Sequence, residues 1–174
     1  KTGVLEKEAL YLNRFFMTAQ THRRPYIILK WAQSADGFLD RIRTDASMPA
    51  ARLSCATTIR MVHKLRSEVD AIMVGTRTVY LDNPSLTVRH WAGKHPVRVL
   101  SDRSLRVPTS ATLFDGGVRT LVYNAKKSGV EGQTEYLPLD LTIPIIPQIL
   151  QSLHEKRIQS LLVEGGALLH RRFM

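Results

Sequence analysis

The side chains best suited to chemistry sit where apolar runs give way to glycine or polar residues. SLLVEGGALLH carries Glu164, Gly165 and Gly166 at the end of an apolar run and ahead of a helical pattern. Backbone N–H groups and a helix dipole at such a turn favour a phosphate, although a strand-Gly-Gly-helix turn also serves as a plain connection. A carboxylate beside a phosphate is a poor choice, so Glu164 suits hydrogen-bond donors on a ring or a sugar. Lys30 interrupts the apolar run YIILKWA. Burying its charge is costly unless it faces a ligand cleft or a carboxylate, and a solvent-facing position at a sheet edge is the alternative. Ser34 and Asp36-Gly37 end the same run, as a ligand-facing strand end or as an ordinary turn. In GTRTVYLDNPSLTVR, Thr78, Asp82, Asn83 and Arg89 follow Gly75 and could hold a ribose and an anion, or form a surface turn.

Other chemistries lack their signatures. His63, His90, His95, His154 and His170 show no ligand spacing, and no H-x-E with P-C-x-x-C follows, so no metal site and no zinc deaminase is expected. The G-x-S-x-G elbow, the Rossmann glycines and the P-loop are likewise missing.

The elements that must position these residues alternate. An amphipathic helix with Leu5, Ala9, Leu12, Phe15 and Phe16 on one stripe is predicted to run to about Gln20, and Pro25 then introduces the strand at Tyr26–Leu29. A long polar loop broken by Gly37 and Pro49 follows. Ser54 is placed to cap a helix with Ile59, Val62 and Leu65 inward, which feeds the strand AIMVG. After it come a short helical turn, an extended Leu86-Thr87-Val88, and the strands PVRVLSD and RTLVYNA. TEYLPLD is weaker, because Pro138 confines it to an edge. A helix with Ile149, Leu150 and Leu153 inward precedes SLLVEGG. The pattern predicts an α/β domain with a mostly parallel sheet.

Composition narrows the partners. At 174 residues the chain suits one domain plus an attached piece. One cysteine, Cys55, fits a reducing compartment, and with no apolar stretch long enough for a bilayer or a signal peptide, a cytoplasmic protein without membrane attachment is expected. The formal charge of +10 is dispersed in short clusters without interleaved aromatic residues, which argues against nucleic acid and for phosphorylated small molecules. A non-catalytic nucleotide- or nucleic-acid-binding module is the rival from another class.

Taken together, PYIILKWAQSADGFLD, LRSEVDAIMVGTRTVYLDNPSLTVR, PVRVLSDRSLRVP and SLLVEGGALLH resemble the successive motifs of the riboflavin-biosynthesis reductase family. The resemblance spans residues 25–174, the expected reductase domain. Residues 1–24, a helical segment and connector, resemble the end of the deaminase domain that precedes it in bifunctional enzymes. The family implies a dihydrofolate-reductase-like, mixed and mainly parallel sheet flanked by helices, with NADPH across the strand ends. It also implies NADPH-dependent reduction of 5-amino-6-(5-phosphoribosylamino)uracil to its ribitylamino counterpart, by hydride addition at the sugar C1′, without deaminase activity in this chain. A dihydrofolate-reductase-like reductase of another pteridine or pyrimidine is the alternative.

Matched position by position, Lys30 and Glu164 fall on substrate-contacting residues, and Arg66, Leu86 and Arg89 on the substrate pocket, the arginines toward its phosphate. Ala32, Thr78, Asp82 and the Gly165-Gly166 turn fall on the NADPH side, with Ser54 at the family's hydroxyl residue opening a helix. Lys30, Asp82 and Glu164 are the catalytic candidates, Asp82 shared between cofactor and reacting carbon. The chain departs from the family in PAARLSCAT, where Ala50 and Arg52 stand at the equivalent places of a Gly-x-Ser-x-Trp-Ile-Thr run. Relatives continue past the position of Met174 with further strands, so missing C-terminal strands are expected, as is a homodimer.

Overall fold

The computed structural model describes residues 2–174. Seven strands form one sheet: β1 (Tyr26–Leu29), β2 (Ala71–Gly75), β3 (Val97–Ser101), β4 (Thr120–Asn124), β5 (Gly129–Glu131), β6 (Thr134–Pro138) and β7 (Ser160–Gly165). Their order is β1-β7-β2-β3-β4-β6-β5. Every pairing is parallel except the β5–β6 hairpin. The helices are α1 (Glu6–Leu12), α2 (Arg14–His22), α3 (Ala56–Glu68), α4 (Thr76–Asp82), α5 (Ile145–Glu155) and α6 (Ala167–Arg171). This is the mixed, mainly parallel, helix-flanked sheet that the resemblance implies. Among the described residues no helix is long and apolar enough to cross a membrane.

Strands covered on both faces read as continuous apolar runs, and AIMV, TLVYN and SLLV do. Alternate residues then feed two cores. Ala71, Met73, Leu121, Leu161 and Val163 pack on one face with Ile149, Leu150 and Leu153 of α5. Each of those α5 side chains contributes about 1.5–3 kcal/mol by leaving water. Ile72, Val74, Leu100, Val122 and Leu162 pack on the other with Val79 of α4 and with Leu86 and Leu113.

Several expectations are corrected. The opening helix is broken at Asn13, whose Nδ2 donates to the Ala9 carbonyl at 2.9 Å in competition with the helical ladder. Leu5 precedes α1 with φ 53°, and Leu5, Ala9, Leu12 and Phe16 are exposed; of the stripe only Phe15 is half-buried, its ring 5.3 Å from Tyr26. Cys55, not Ser54, occupies the cap position of α3, because the helix begins one residue later than the hydroxyl pattern suggests. That helix buries His63, whereas Ile59, Val62 and Leu65 are half-buried.

Strand β6 is interior. The Leu139 N–H donates to Asn124 of β4, so the ring nitrogen of Pro138 faces the opposite side, where β5 has already ended opposite Tyr136. Proline is tolerated there because no ladder bond is asked of it. β5, the true edge strand on that side, has three exposed residues and no apolar pattern to announce it. Leu86 is not extended but left-handed, φ 52°, and buried.

Candidate active site

Parallel strands put their carboxyl ends along one side of the sheet, and a cleft of about 850 Å³ opens there. β1 delivers Lys30 and Ala32, β7 delivers Glu164, Gly165 and Gly166, and α4, which starts where β2 ends, delivers Thr78 and Asp82. The loop between β1 and α3 forms a further wall with Asp40–Arg43 and Ala50–Ser54. The loop that departs from the family pattern therefore faces the cleft, with Arg52 on its wall.

Lys30 stands one residue past β1, its N–H donating to the Val163 carbonyl at 3.0 Å. Among the described residues its ammonium has no carboxylate within ion-pair distance. Of the two environments open to it, it takes the cleft.

Glu164 is aimed by an irregularity. Met73 pairs with Val163 but Val74 with Gly165, so Glu164 is an extra residue bulged out of the β2–β7 register. Bulges re-aim a side chain where a regular strand would point it elsewhere. Its carboxylate accepts from Arg66 Nε at 2.8 Å and Nη2 at 2.6 Å, a bidentate pair whose side chains are 8% and 12% exposed. Arg66 Nη1 also donates to the Thr87 carbonyl at 3.1 Å. Arg66 thus braces Glu164 from α3 and does not itself line the cleft.

Arg89 and Leu86 also stand outside the lining. Arg89 is exposed, its N–H donating to Nδ1 of buried His63 at 3.0 Å and its guanidinium to the Ser85 hydroxyl. Burial, with Arg66, His90 and Arg89 nearby, holds His63 below the usual histidine range, which keeps Nδ1 an acceptor. Leu86 packs into the core beside Val74 and Val79.

The diglycine has a steric reason that the sequence does not show. A Cβ on Gly165 would fall 2.8 Å from Cγ2 and Oγ1 of Thr78, so α4 lies directly against this strand end. Gly166 follows with φ 87°, a conformation costly for other residues.

Asp82 is held from the loop. Arg43, 6% exposed, donates from Nη1 to Asp82 Oδ1 at 2.7 Å, from Nε to Asp40 Oδ2 at 2.7 Å, and from Nη1 to the Met48 carbonyl at 3.3 Å. The hydrogen bond to Asp82 is the main reason the Arg43 guanidinium holds its proton more firmly than usual. Burial pushes Asp40 upward, but the N–H groups of Ala51 and Arg41, with Arg43, outweigh it and leave the carboxyl below its usual range. Arg43 and Arg77 are cleft residues that sequence reasoning missed, since nothing in a polar loop or a short helical turn distinguishes one arginine from its neighbours.

The wall carries five cations, Lys30, Arg41, Arg43, Arg52 and Arg77, against three carboxylates, Asp40, Asp82 and Glu164. The carboxylates are all paired with arginine, which leaves a surplus of positive charge for an anionic ligand. That surplus suits an anionic ligand, and Gly166 and Thr78 stand on the same wall.

A riboflavin biosynthesis protein RibD of Aquifex aeolicus is 36% identical over 170 residues, 94% of this chain and 46% of its own length. The 2,5-diamino-6-ribosylamino-4(3H)-pyrimidinone 5′-phosphate reductase of Archaeoglobus fulgidus is 35% identical over 84% of this chain and 72% of its own. The crystal structure of a diaminohydroxyphosphoribosylaminopyrimidine deaminase/5-amino-6-(5-phosphoribosylamino)uracil reductase from Thermotoga maritima superposes with a TM-score of 0.85 at 32% identity, over 98% of this chain and 47% of that one. The chain thus spans just under half the length of RibD relatives. The RibD C-terminal domain matches residues 25–174, and the chain belongs to that family.

Proposed function

We propose that the chain reduces 5-amino-6-(5-phosphoribosylamino)uracil to 5-amino-6-(5-phosphoribitylamino)uracil with NADPH, as a step of riboflavin biosynthesis. The observation that carries this reading is the convergence of Lys30, Glu164, Thr78 and Asp82 on one cleft with a surplus of positive charge. NADPH supplies the hydride, and the protein supplies position and exclusion of water. Lys30 and Glu164 hold the ring and sugar of the opened ribosylamine near the reacting carbon. Arg66 holds Glu164 fixed, and Arg89 takes the substrate phosphate. Ala32, Ser54, Thr78, Asp82, Gly165 and Gly166 line the cofactor side.

The same reading assigns residues 1–24 to the end of a preceding deaminase domain, and takes the enzyme to be a cytoplasmic homodimer. Support for the first part is the exposed apolar stripe of α1 and α2.

A second reading, favoured by the likeness to the Archaeoglobus reductase, takes the 2,5-diamino-pyrimidinone phosphate as substrate. Both pyrimidines, offered singly and in competition while NADPH oxidation is followed by absorbance, decide between them. Turnover of the uracil with little response to the diamino compound supports the first reading. The reverse preference replaces it, and the absence of dinucleotide binding defeats both.

A further inference from the structure

Resting on the reading of Asp82 as a cofactor-side group, we infer that Arg43 is a positioning residue for the dinucleotide. It ties the loop of residues 38–53 to α4 so that the second carboxylate oxygen of Asp82 is offered to the cleft.

Three observations carry this. First, Arg43 is nearly buried in a loop that is otherwise mostly exposed, and a buried charge is retained only with partners. Its partners come from both sides: Asp40 within the loop and Asp82 at the last turn of α4, 39 residues away. Second, the loop is closed on itself at the same place. Asp40 Oδ1 accepts from the N–H groups of Arg41 and Ala51 at 2.9 Å each, and the guanidinium of Arg77, also on α4, donates to the Arg43 carbonyl. Loop and helix are therefore joined by two arginines running in opposite directions. Third, Arg43 engages Oδ1 of Asp82, Oδ2 has no partner among the described residues, and the Asp82 side chain is 36% exposed on the cleft wall. A carboxylate fixed by one oxygen presents the other in a defined direction, which suits the hydroxyls of a ribose. The Arg52 side of the same loop is carried to the cleft by the same closure.

The test compares Arg43→Met, Arg43→Lys, Asp82→Asn and the double variant Arg43→Met/Asp82→Asn with the wild-type enzyme. NADPH affinity is read by titration calorimetry, and steady-state constants are read for both substrates. Arg43→Met is expected to weaken NADPH by about tenfold or more, the size of one charge-assisted hydrogen bond. KM for the pyrimidine should stay within about twofold, since the effect enters through the dinucleotide alone. Arg43→Lys, which can serve one carboxylate but not both, should recover part of the affinity. The double variant should bind NADPH no more weakly than the worse single variant, because the two residues act as one unit.

NADPH affinity unchanged in Arg43→Met, or losses that multiply in the double variant, would overturn the inference. Should Arg43→Met fail to fold, Arg43→Lys and Asp40→Asn carry the same expectation in milder form, and wild-type affinity in both overturns it equally. A wild-type protein that binds no dinucleotide defeats the underlying reading and this inference with it. Binding by the wild type with indifferent variants removes the inference alone.

Discussion

Replacing Gly165 with alanine separates two reasons for a diglycine, room for a neighbouring side chain and freedom of the backbone. The added Cβ would meet Cγ2 and Oγ1 of Thr78 at 2.8 Å and its Cβ at 3.2 Å, all inside ordinary contact. Either β7 or α4 must give by roughly half an ångström to one ångström, and overpacking of this kind costs about 1–3 kcal/mol. For a chain of this size that lowers Tm by roughly 2–4 °C per kcal/mol, hence roughly 2–12 °C in total. Thr78→Ala removes both of the nearer atoms, so Gly165→Ala/Thr78→Ala should recover most of the loss, with a coupling of about 1–2 kcal/mol. Gly166 provides the control. At φ 87° its replacement by alanine is strained whatever the space, so Thr78→Ala should not rescue Gly166→Ala. Thermal unfolding followed by circular dichroism reads all five variants. An unshifted Tm in Gly165→Ala, or a double variant whose losses simply add, would refute the contact between α4 and the strand end as the reason for this glycine.

Other residues give further expectations. Arg98 is fully buried in β3, donating to the Leu113 carbonyl at 3.0 Å and to Asp115 Oδ1 at 2.7 Å. Asp115→Ala, which strands that charge, should cost about 3 kcal/mol in urea unfolding, and the added Arg98→Met should restore much of it. His63 has its folded pKa lowered below 6.5 by burial, so the unfolded chain binds the extra proton first. The stability it contributes is complete above about pH 6.5 and is lost as pH falls through the lowered value. Unfolding midpoints between pH 7 and 5 should therefore fall less steeply in His63→Asn than in the wild type, provided Asn keeps the acceptor for Arg89. Arg66→Met leaves Glu164 nearly buried and unpaired, and should lower kcat/KM at least tenfold while leaving NADPH affinity close to that of the wild type, by calorimetry.

What could be read from the sequence was local. The apolar runs of β2, β4 and β7 and the spacing of Ile149, Leu150 and Leu153 report burial directly, because both faces of the sheet are covered. Lys30 and Glu164 were conspicuous as charges at the ends of such runs. Contacts across long separations left no such trace. Arg66 and Glu164 are 98 residues apart, and neither the bulge that aims Glu164 nor the approach of Thr78 to Gly165 has a local pattern. Arg43 illustrates the limit in the loop, where its burial depends on Asp40 and Asp82 together and its neighbours Arg41 and Arg52 are exposed. The stripe on α1 and α2 was legible as amphipathic, yet amphipathicity names a face and not what covers it. Pro138 misled for a related reason: a proline excludes a ladder bond on one side only, and the partner strand on that side is too short to need it.

The central claim, that this cleft moves hydride from NADPH to a sugar carbon, is tested most directly by isotope transfer. NADPH carrying deuterium at the transferable position of its nicotinamide is supplied with 5-amino-6-(5-phosphoribosylamino)uracil, generated in place by a separate deaminase, and the product is examined by NMR. Deuterium at C1′ of the ribityl chain, lost together with turnover in Lys30→Met and Glu164→Gln, is the predicted result. NADPH oxidation that leaves C1′ unlabelled, or labelling that persists in both variants, would contradict it.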